Sequence, residues 1–263
     1  MKSIEQYPLG LPQAGLWFIG QAGCVIRASD VTVVIDPYLS DSAATHAPEF
    51  TRQFPPPLAP QDLRADFFLV THDHLDHLDP ETIRHYAHRD TTQFVAPRFA
   101  AQKLLNLGLP GKNVHRLDAG ETWAQRGLTV TGTFALPTSA DVLDTTGFWL
   151  KFANGRTVYH ASDTAFAPLL LQAAPKDVEV LLVPINGKWG NLNVEQAAEL
   201  TAEVTPRYVL PVHYDVMALN AENPESFRWF CQQRKLTAQC VIPTMLQPFV
   251  WEADTPIRQS TDH

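Results

Sequence analysis

The stretch "LVTHDHLDHLDPET", residues 69–82, crowds His72, His74, Asp76 and His77 into one short segment. No other feature constrains this chain as strongly. Imidazole and carboxylate side chains at this density suit zinc, iron or manganese. At the end of an extended segment His72 and His74 point the same way, because side chains repeat every two residues along a strand. Asp76 and His77 come after a further turn and can face a second metal position. The run "DFFLVTH" reads as a buried strand that delivers the motif. Asp79 and Pro80 then supply an N-cap and a first helical residue for a helix over "DPETIRHYAHR".

Short-range ligands alone do not close such a site, so others are expected at distant strand ends. Asp163 in "YHASDTAF" is one, since a carboxylate can bridge two cations; His213, just after the apolar run in "VLPVHYD", is another. His160, three residues before Asp163, is expected to support the ligands from behind or to serve the core. Thr71 and Asp36 are placed to hold ligand imidazoles by hydrogen bonds.

The rest of the chain reads as strands first and strand–helix alternation later. "LWFIG" and "CVIRA" flank "QAG" as a hairpin, and "VTVVID" is a strand closing on Asp36. Residues 37–65, with Tyr38, His46 and Arg52, form a long irregular segment expected to act as a wall or lid, or as a surface loop or subunit contact. Later strands are "TQFVAP", "LTVTGTFAL", "GFWLKF", "RTVYHASD", "VEVLLVPI" and "PRYVLPVHYD"; helices are "RFAAQKLLNLG", "NVEQAAELTAEV" and "PESFRWFCQQRK". Polar residues end strands in both halves: Asp36 and His72, then Asp163 and His213. The expected class is α/β, with two sheets face to face, helices outside and the site along one edge.

The 263 residues, 45% hydrophobic, suit a single domain over 1–263 with a substantial core. The net charge of −8 repels phosphate backbones, so nucleic acid is not an expected partner. No apolar run approaches the roughly 20 residues of a membrane span. "MKSIEQYPLG" has no apolar h-region, and Cys24, Cys231 and Cys240 show no paired spacing. Both favour reduced thiols and a cytoplasmic location.

The motifs "THDHLDH", "YHASD" and "PVHYD" resemble the metallo-β-lactamase-fold hydrolases over nearly the whole chain. "LWFIGQAGCVIR", "VIDPYLSD" and "VPINGKWGNLNVEQAAEL" are most similar to the L-ascorbate-6-phosphate lactonase-like branch. The resemblance implies a four-layer αββα sandwich with one or two ions, manganese or zinc, at the sheet edge. It implies His72 and His74 on the first ion, Asp76, His77 and His213 on the second, and Asp163 between them. Many members supply a further histidine to the first site after the strand that here reads "LTVTGTFALPTSAD". Pro137, Thr138 and Ser139 stand in that region instead, with Asp141 and Asp144 as possible substitutes.

The expected chemistry is attack of hydroxide on an ester or lactone carbonyl, because a metal ion lowers the pKa of water from near 16 toward ~7. Asp76 orients or deprotonates the water and returns a proton to the leaving alkoxide. The expected substrate is a small anionic molecule, a phosphorylated sugar lactone. Asn186 and Lys188, in "NGKWGN" before a helix, are the expected anion-binding residues. The alternatives are a phosphodiesterase on a small phosphate ester and a metal-binding protein without turnover. Homo-oligomers are common among similar hydrolases.

Overall fold

The computed structural model describes residues 4–253. Fourteen strands are defined, in chain order β1 (Gln13–Gly20), β2 (Gly23–Ala28), β3 (Val31–Ile35), β4 (Phe67–Leu69), β5 (Gln93–Ala96), β6 (Val114–Arg116), β7 (Thr122–Gln125), β8 (Leu128–Phe134), β9 (Thr146–Phe152), β10 (Thr157–His160), β11 (Val180–Pro184), β12 (Tyr208–Val212), β13 (Gln239–Cys240) and β14 (Pro248–Glu252). Five helices accompany them: α1 (Pro80–His85), α2 (Arg98–Asn106), α3 (Pro168–Ala173), α4 (Val194–Val204) and α5 (Pro224–Gln233).

The strands form two seven-stranded sheets, ordered β14-β1-β2-β3-β4-β5-β6 and β13-β12-β11-β10-β9-β8-β7. Each is antiparallel in one half and parallel in the other: β3 to β6 run parallel in the first sheet, β10 to β13 in the second.

Side-chain alternation divides the core into three layers. Phe67 and Leu69 of β4 join Val33, Ile35, Phe148, Leu182 and Leu210 between the sheets. Phe68, the residue between them, turns outward with Val34 and Phe94 to meet Ile83, Ala100 and Leu104 of α1 and α2. On the far side Leu181 and Val183 of β11 pack under Leu170, Leu200 and Phe227 of α3, α4 and α5. The result is the expected αββα arrangement.

Local rules explain most boundaries. Asp79 caps α1 by accepting from Glu81 N–H, and α4 opens on a complete capping box between Asn193 and Gln196. Helix α1 stops at His85, short of the expected "HYAHR" extension. Tyr86 is extended and fully buried, its hydroxyl held by Ala65 N–H at 3.1 Å and Thr92 Oγ1 at 2.8 Å. Core placement of that ring ends the helix. Residues 37–65 hold only short 3-10 turns, at Ser42–Thr45, Pro48–Phe50 and Pro60–Asp62. Within that segment Tyr38 is buried and Arg52 nearly so, while His46 is exposed. No helix among the described residues is long and apolar enough to cross a membrane.

Candidate metal centre

Parallel strands end together at one edge of the sandwich, and polar residues follow each: Asp36 after β3, the motif after β4, Asp163 after β10, Asn186 after β11 and His213 after β12. Asp36, Ser162 and His213 take positive φ at these ends (44°, 65° and 61°), as does Gln21 in the β1–β2 turn (55°). Non-glycine residues held in that region concentrate at functional sites.

The six expected ligands come together in two groups. His72, His74 and Asp163 form one, and Asp76, His77 and His213 the other; within each group the ligand atoms lie within 4.8 Å of one another. Asp163, grouped with His72 and His74, also reaches the second group, with one oxygen 3.5 Å from His77 Nε2 and the other 3.2 Å from His213 Nε2. Asp76 Oδ2 lies 3.4 Å from His213 Nε2 and 3.6 Å from His77 Nε2. Asp73, inside the same motif, points away to Lys103 at 2.6 Å.

The layer behind these groups fixes the tautomers. Thr71 Oγ1 donates to Asp36 Oδ2 at 2.6 Å, and Thr71 N–H to Asp36 Oδ1 at 2.8 Å. His77 Nδ1 meets Asp36 Oδ2 at 2.7 Å, and His72 Nδ1 meets the same threonine hydroxyl at 3.0 Å. Since that hydroxyl gives its proton to Asp36, it accepts from His72. Both imidazoles therefore carry a proton on Nδ1 and turn Nε2 into the cluster, the orientation in which metal-binding histidines are usually held.

The donor set fits divalent cations. His72 Nε2 and His74 Nδ1 stand 2.9 Å apart, and His77 Nε2 and His213 Nε2 3.2 Å apart. Lone pairs this close repel unless a proton or cation lies between them. Asp163 Oδ1 and His213 Nδ1 are buried without a hydrogen-bond partner, an arrangement that costs stability unless charge compensates.

In the protein's own electrostatics the cluster balances itself with protons. Burial pushes the Asp163 carboxyl up, but His213 and His77 outweigh it and hold the group well below the usual range. Burial likewise raises Asp76, while His77 and His213 bring it down. Burial lowers His213, yet Asp163 and Asp76 carry it up to about 9, and the same two carboxylates with Asp36 raise His77. Burial and the neighbouring His77 keep His72 neutral.

His160 lies behind the cluster in a backbone role. Its Nε2 donates to Ala22 O at 2.9 Å and its Nδ1 accepts from Ser162 N–H at 3.2 Å, tying the second sheet to the β1–β2 turn. That turn presents Gln21, which composition and spacing did not single out. Gln21 Nε2 donates to Asp76 Oδ2 at 2.7 Å, and Asn220 holds its carbonyl at 2.9 Å. A lone glutamine carries little signal of metal or acid–base chemistry; its sequence signal was its place in a tight turn between two strands.

The segment 137–144 meets His74 from outside. Ser139 Oγ lies 3.3 Å and Asp141 Oδ1 3.6 Å from His74 Nε2, the nitrogen turned away from His72. Asp144 accepts from Phe99 N–H at 3.0 Å at the start of α2. Neither aspartate joins the ligand groups. Asn186 is buried with both amide atoms unpartnered. Ile185 packs against the outer helices, so alternation carries Asn186 to the inner side, toward the cluster edge. Lys188 is exposed.

The β-lactamase superfamily domain matches residues 31–214. The chain belongs to this superfamily. Among curated proteins it is 30% identical over 217 residues to a UPF0173 metal-dependent hydrolase of Pyrobaculum calidifontis, covering 81% of this chain and 88% of that protein. A namesake from Methanosarcina mazei is 27% identical over 221 residues, covering 80% and 87%. Among solved structures, a metallo hydrolase from Ignicoccus hospitalis superposes with a TM-score of 0.75 at 22% identity, over 92% of this chain and 99% of that one, a likeness of fold. The chain is thus a metal-dependent hydrolase of the metallo-β-lactamase superfamily.

Proposed function

We propose that this hydrolase opens small lactones or related carboxylic esters, with His72, His74 and Asp163 holding one divalent ion, Asp76, His77 and His213 a second, and Asp163 shared. Manganese and zinc are the ions best suited to this mixture of imidazole and carboxylate. When bound, such ions make water acidic near neutral pH and polarise the bond under attack. The observation that carries the reading is the placement of Asp163, which clusters with His72 and His74 and meets His77 and His213 with its two oxygens, its carboxyl kept ionised.

The side chains supply the rest. Asp76, ionised and steadied by the Gln21 amide, takes the proton of the attacking water. As the new carbon–oxygen bond forms and the ester carbon–oxygen bond breaks, that proton passes to the leaving alkoxide. Asn186 offers an amide with unused hydrogen-bonding capacity to the substrate's polar atoms. Asp36 and Thr71 keep His77 and His72 from rotating during the cycle.

A neutral carbonyl is favoured over a phosphodiester as the reacting group. Lys103 is committed to Asp73, and Arg52 gives Nη1 and Nε to the carbonyls of Tyr38 and Phe54 while its Nη2 stays buried; the exposed Lys188 suits an anionic substituent remote from the reacting bond. The test is plasma mass spectrometry for metal content, followed by a panel of lactones, carboxylic esters and phosphodiesters. Asp76→Asn is expected to retain most of the metal and lose activity by about 100-fold or more. Turnover of phosphodiesters alone would replace this reading with the phosphodiesterase one; unchanged turnover in Asp76→Asn would remove Asp76 from the mechanism.

A further inference from the structure

The connection between β11 and α4 is a closed hairpin-like loop. Asn186 and Asn193 pair across its base, and Gly187 N–H donates to Leu192 O at 3.0 Å. Its tip is the turn Lys188–Asn191, closed by Asn191 N–H to Lys188 O at 2.9 Å. Here φ is 49° at Trp189 and 89° at Gly190, the sign pattern of a type I′ turn. The first central position of such a turn ordinarily holds asparagine, aspartate or glycine, and a bulky aromatic residue is an outlier there. Burial does not hold Trp189 in place, for its side chain is 47% exposed. A strained backbone presenting an exposed aromatic ring beside a reaction site points to function rather than packing.

Three contacts set this turn on the rim of the metal centre. A Cβ added at Gly190 would stand 2.8 Å from Thr138 O, next to Ser139, which meets His74. Asn191 Oδ1 accepts from Thr164 N–H at 2.9 Å, next to Asp163. The Trp189 ring lies 5.8 Å from the half-buried Phe50 ring at 48°, and Phe50 lies 6.3 Å from His46. Two separate loops flanking the cluster, 37–65 and 186–193, thus meet through one aromatic pair.

We propose that Trp189 and Phe50 form a platform for the non-reacting part of the substrate, taking a ring that presents an apolar face, and so determine which substrates are processed. Aromatic faces bind flat rings by offset or tilted stacking. The pair is ordered by mutual contact, so binding costs little side-chain entropy. Lys188, next to Trp189 in the chain, is exposed, so a ring's anionic substituent can pair with it. The ring can be an aryl group or a sugar-derived ring; both offer the same stacking face. The inference rests on the hydrolase reading for the fate of the substrate, not for its binding.

Calorimetric titration of the zinc-loaded protein with three carboxylates tests it: acetate, phenylacetate and glucuronate. At least one ring-bearing acid is expected to bind about threefold to tenfold tighter than acetate. Trp189→Ala should abolish that ratio, Trp189→Phe should keep most of it, and Phe50→Ala should reduce it from the other loop; melting curves confirm that each variant is folded. Preference for phenylacetate alone identifies an aryl group, preference for glucuronate a sugar. Equal binding of all three acids, or a ratio that survives in folded Trp189→Ala, overturns the platform. Ring preference without turnover of any ester would leave the platform standing while the lactonase reading fails.

Discussion

At the scale of single residues the centre depends on one carboxylate that touches no substrate. Asp36 accepts from Thr71 N–H, Thr71 Oγ1 and His77 Nδ1 at once, so it fixes two imidazoles, one in each ligand group. Asn at this position tolerates the positive φ, but it replaces one acceptor oxygen by a donor. Asp36→Asn is therefore expected to weaken metal binding about 10- to 100-fold, measured by competition with a chromophoric chelator. Thr71→Val removes the hydroxyl relay to His72 while leaving His77 on Asp36, and a smaller loss, about tenfold, is expected. Equal affinity in the wild type and both variants would show that packing alone orients the rings. These residues were legible because they stand beside the motif or at a strand end. Gln21 was not: its role comes from a backbone turn that lies far from Asp76 in sequence and is brought to it only by folding.

At the scale of elements, Gly190 is where the rim loop presses on segment 137–139. Gly190→Ala meets both a positive φ and the Thr138 carbonyl at 2.8 Å. Gly155→Ala is the matched control, with φ of 83° and nothing within 4 Å of the added Cβ. Both variants bear the conformational penalty of a left-handed alanine, about 1 kcal/mol, and the first adds a clash of about 1–3 kcal/mol. Thermal unfolding is expected to place Gly190→Ala several degrees below Gly155→Ala; coincident midpoints would show that the two loops do not bear on each other. The same scale shows why sequence patterns reached some elements and missed others. The β1–β2 hairpin, the inner strands and α4 carry strong local signals, in a glycine turn, β-branched runs and a capping box. Strands β6, β7, β13 and β14 were not anticipated. Their residues are mostly exposed or half-buried, so pairing with a neighbour, which no local pattern records, defines them. Helix α3, six residues long, is similarly made by packing of Leu170, and of Ala174 at its C-cap, on the second sheet.

At the scale of the whole molecule, the candidate metal centre ties the two halves of the sandwich together, since each half supplies residues to it. Without metal the same contact is made by protons. The folded chain carries His213 with its pKa up to about 9, against ~6.5 for an unfolded histidine. A group raised on folding stabilises fully below its unfolded pKa and loses that contribution as pH rises through its folded value. His77 is raised in the same direction. Asp76 and Asp163, lowered on folding, contribute above the ordinary carboxylate pKa and lose their effect only in acid. Chelator-treated protein is therefore expected to lose stability between pH 6.5 and 9, by up to about 3 kcal/mol for His213 alone, or roughly 5 °C or more in the melting temperature. Metal binding requires neutral imidazoles, so affinity strengthens as these protons leave. The gap between zinc-loaded and chelator-treated melting temperatures should widen across the same interval. Melting curves at pH 6, 7.5 and 9, with chelator and with zinc, decide it. A chelator-treated melting temperature that stays level or rises toward pH 9 would mean that the histidines do not hold the two sheets through shared protons, and that the sandwich edge closes by packing alone.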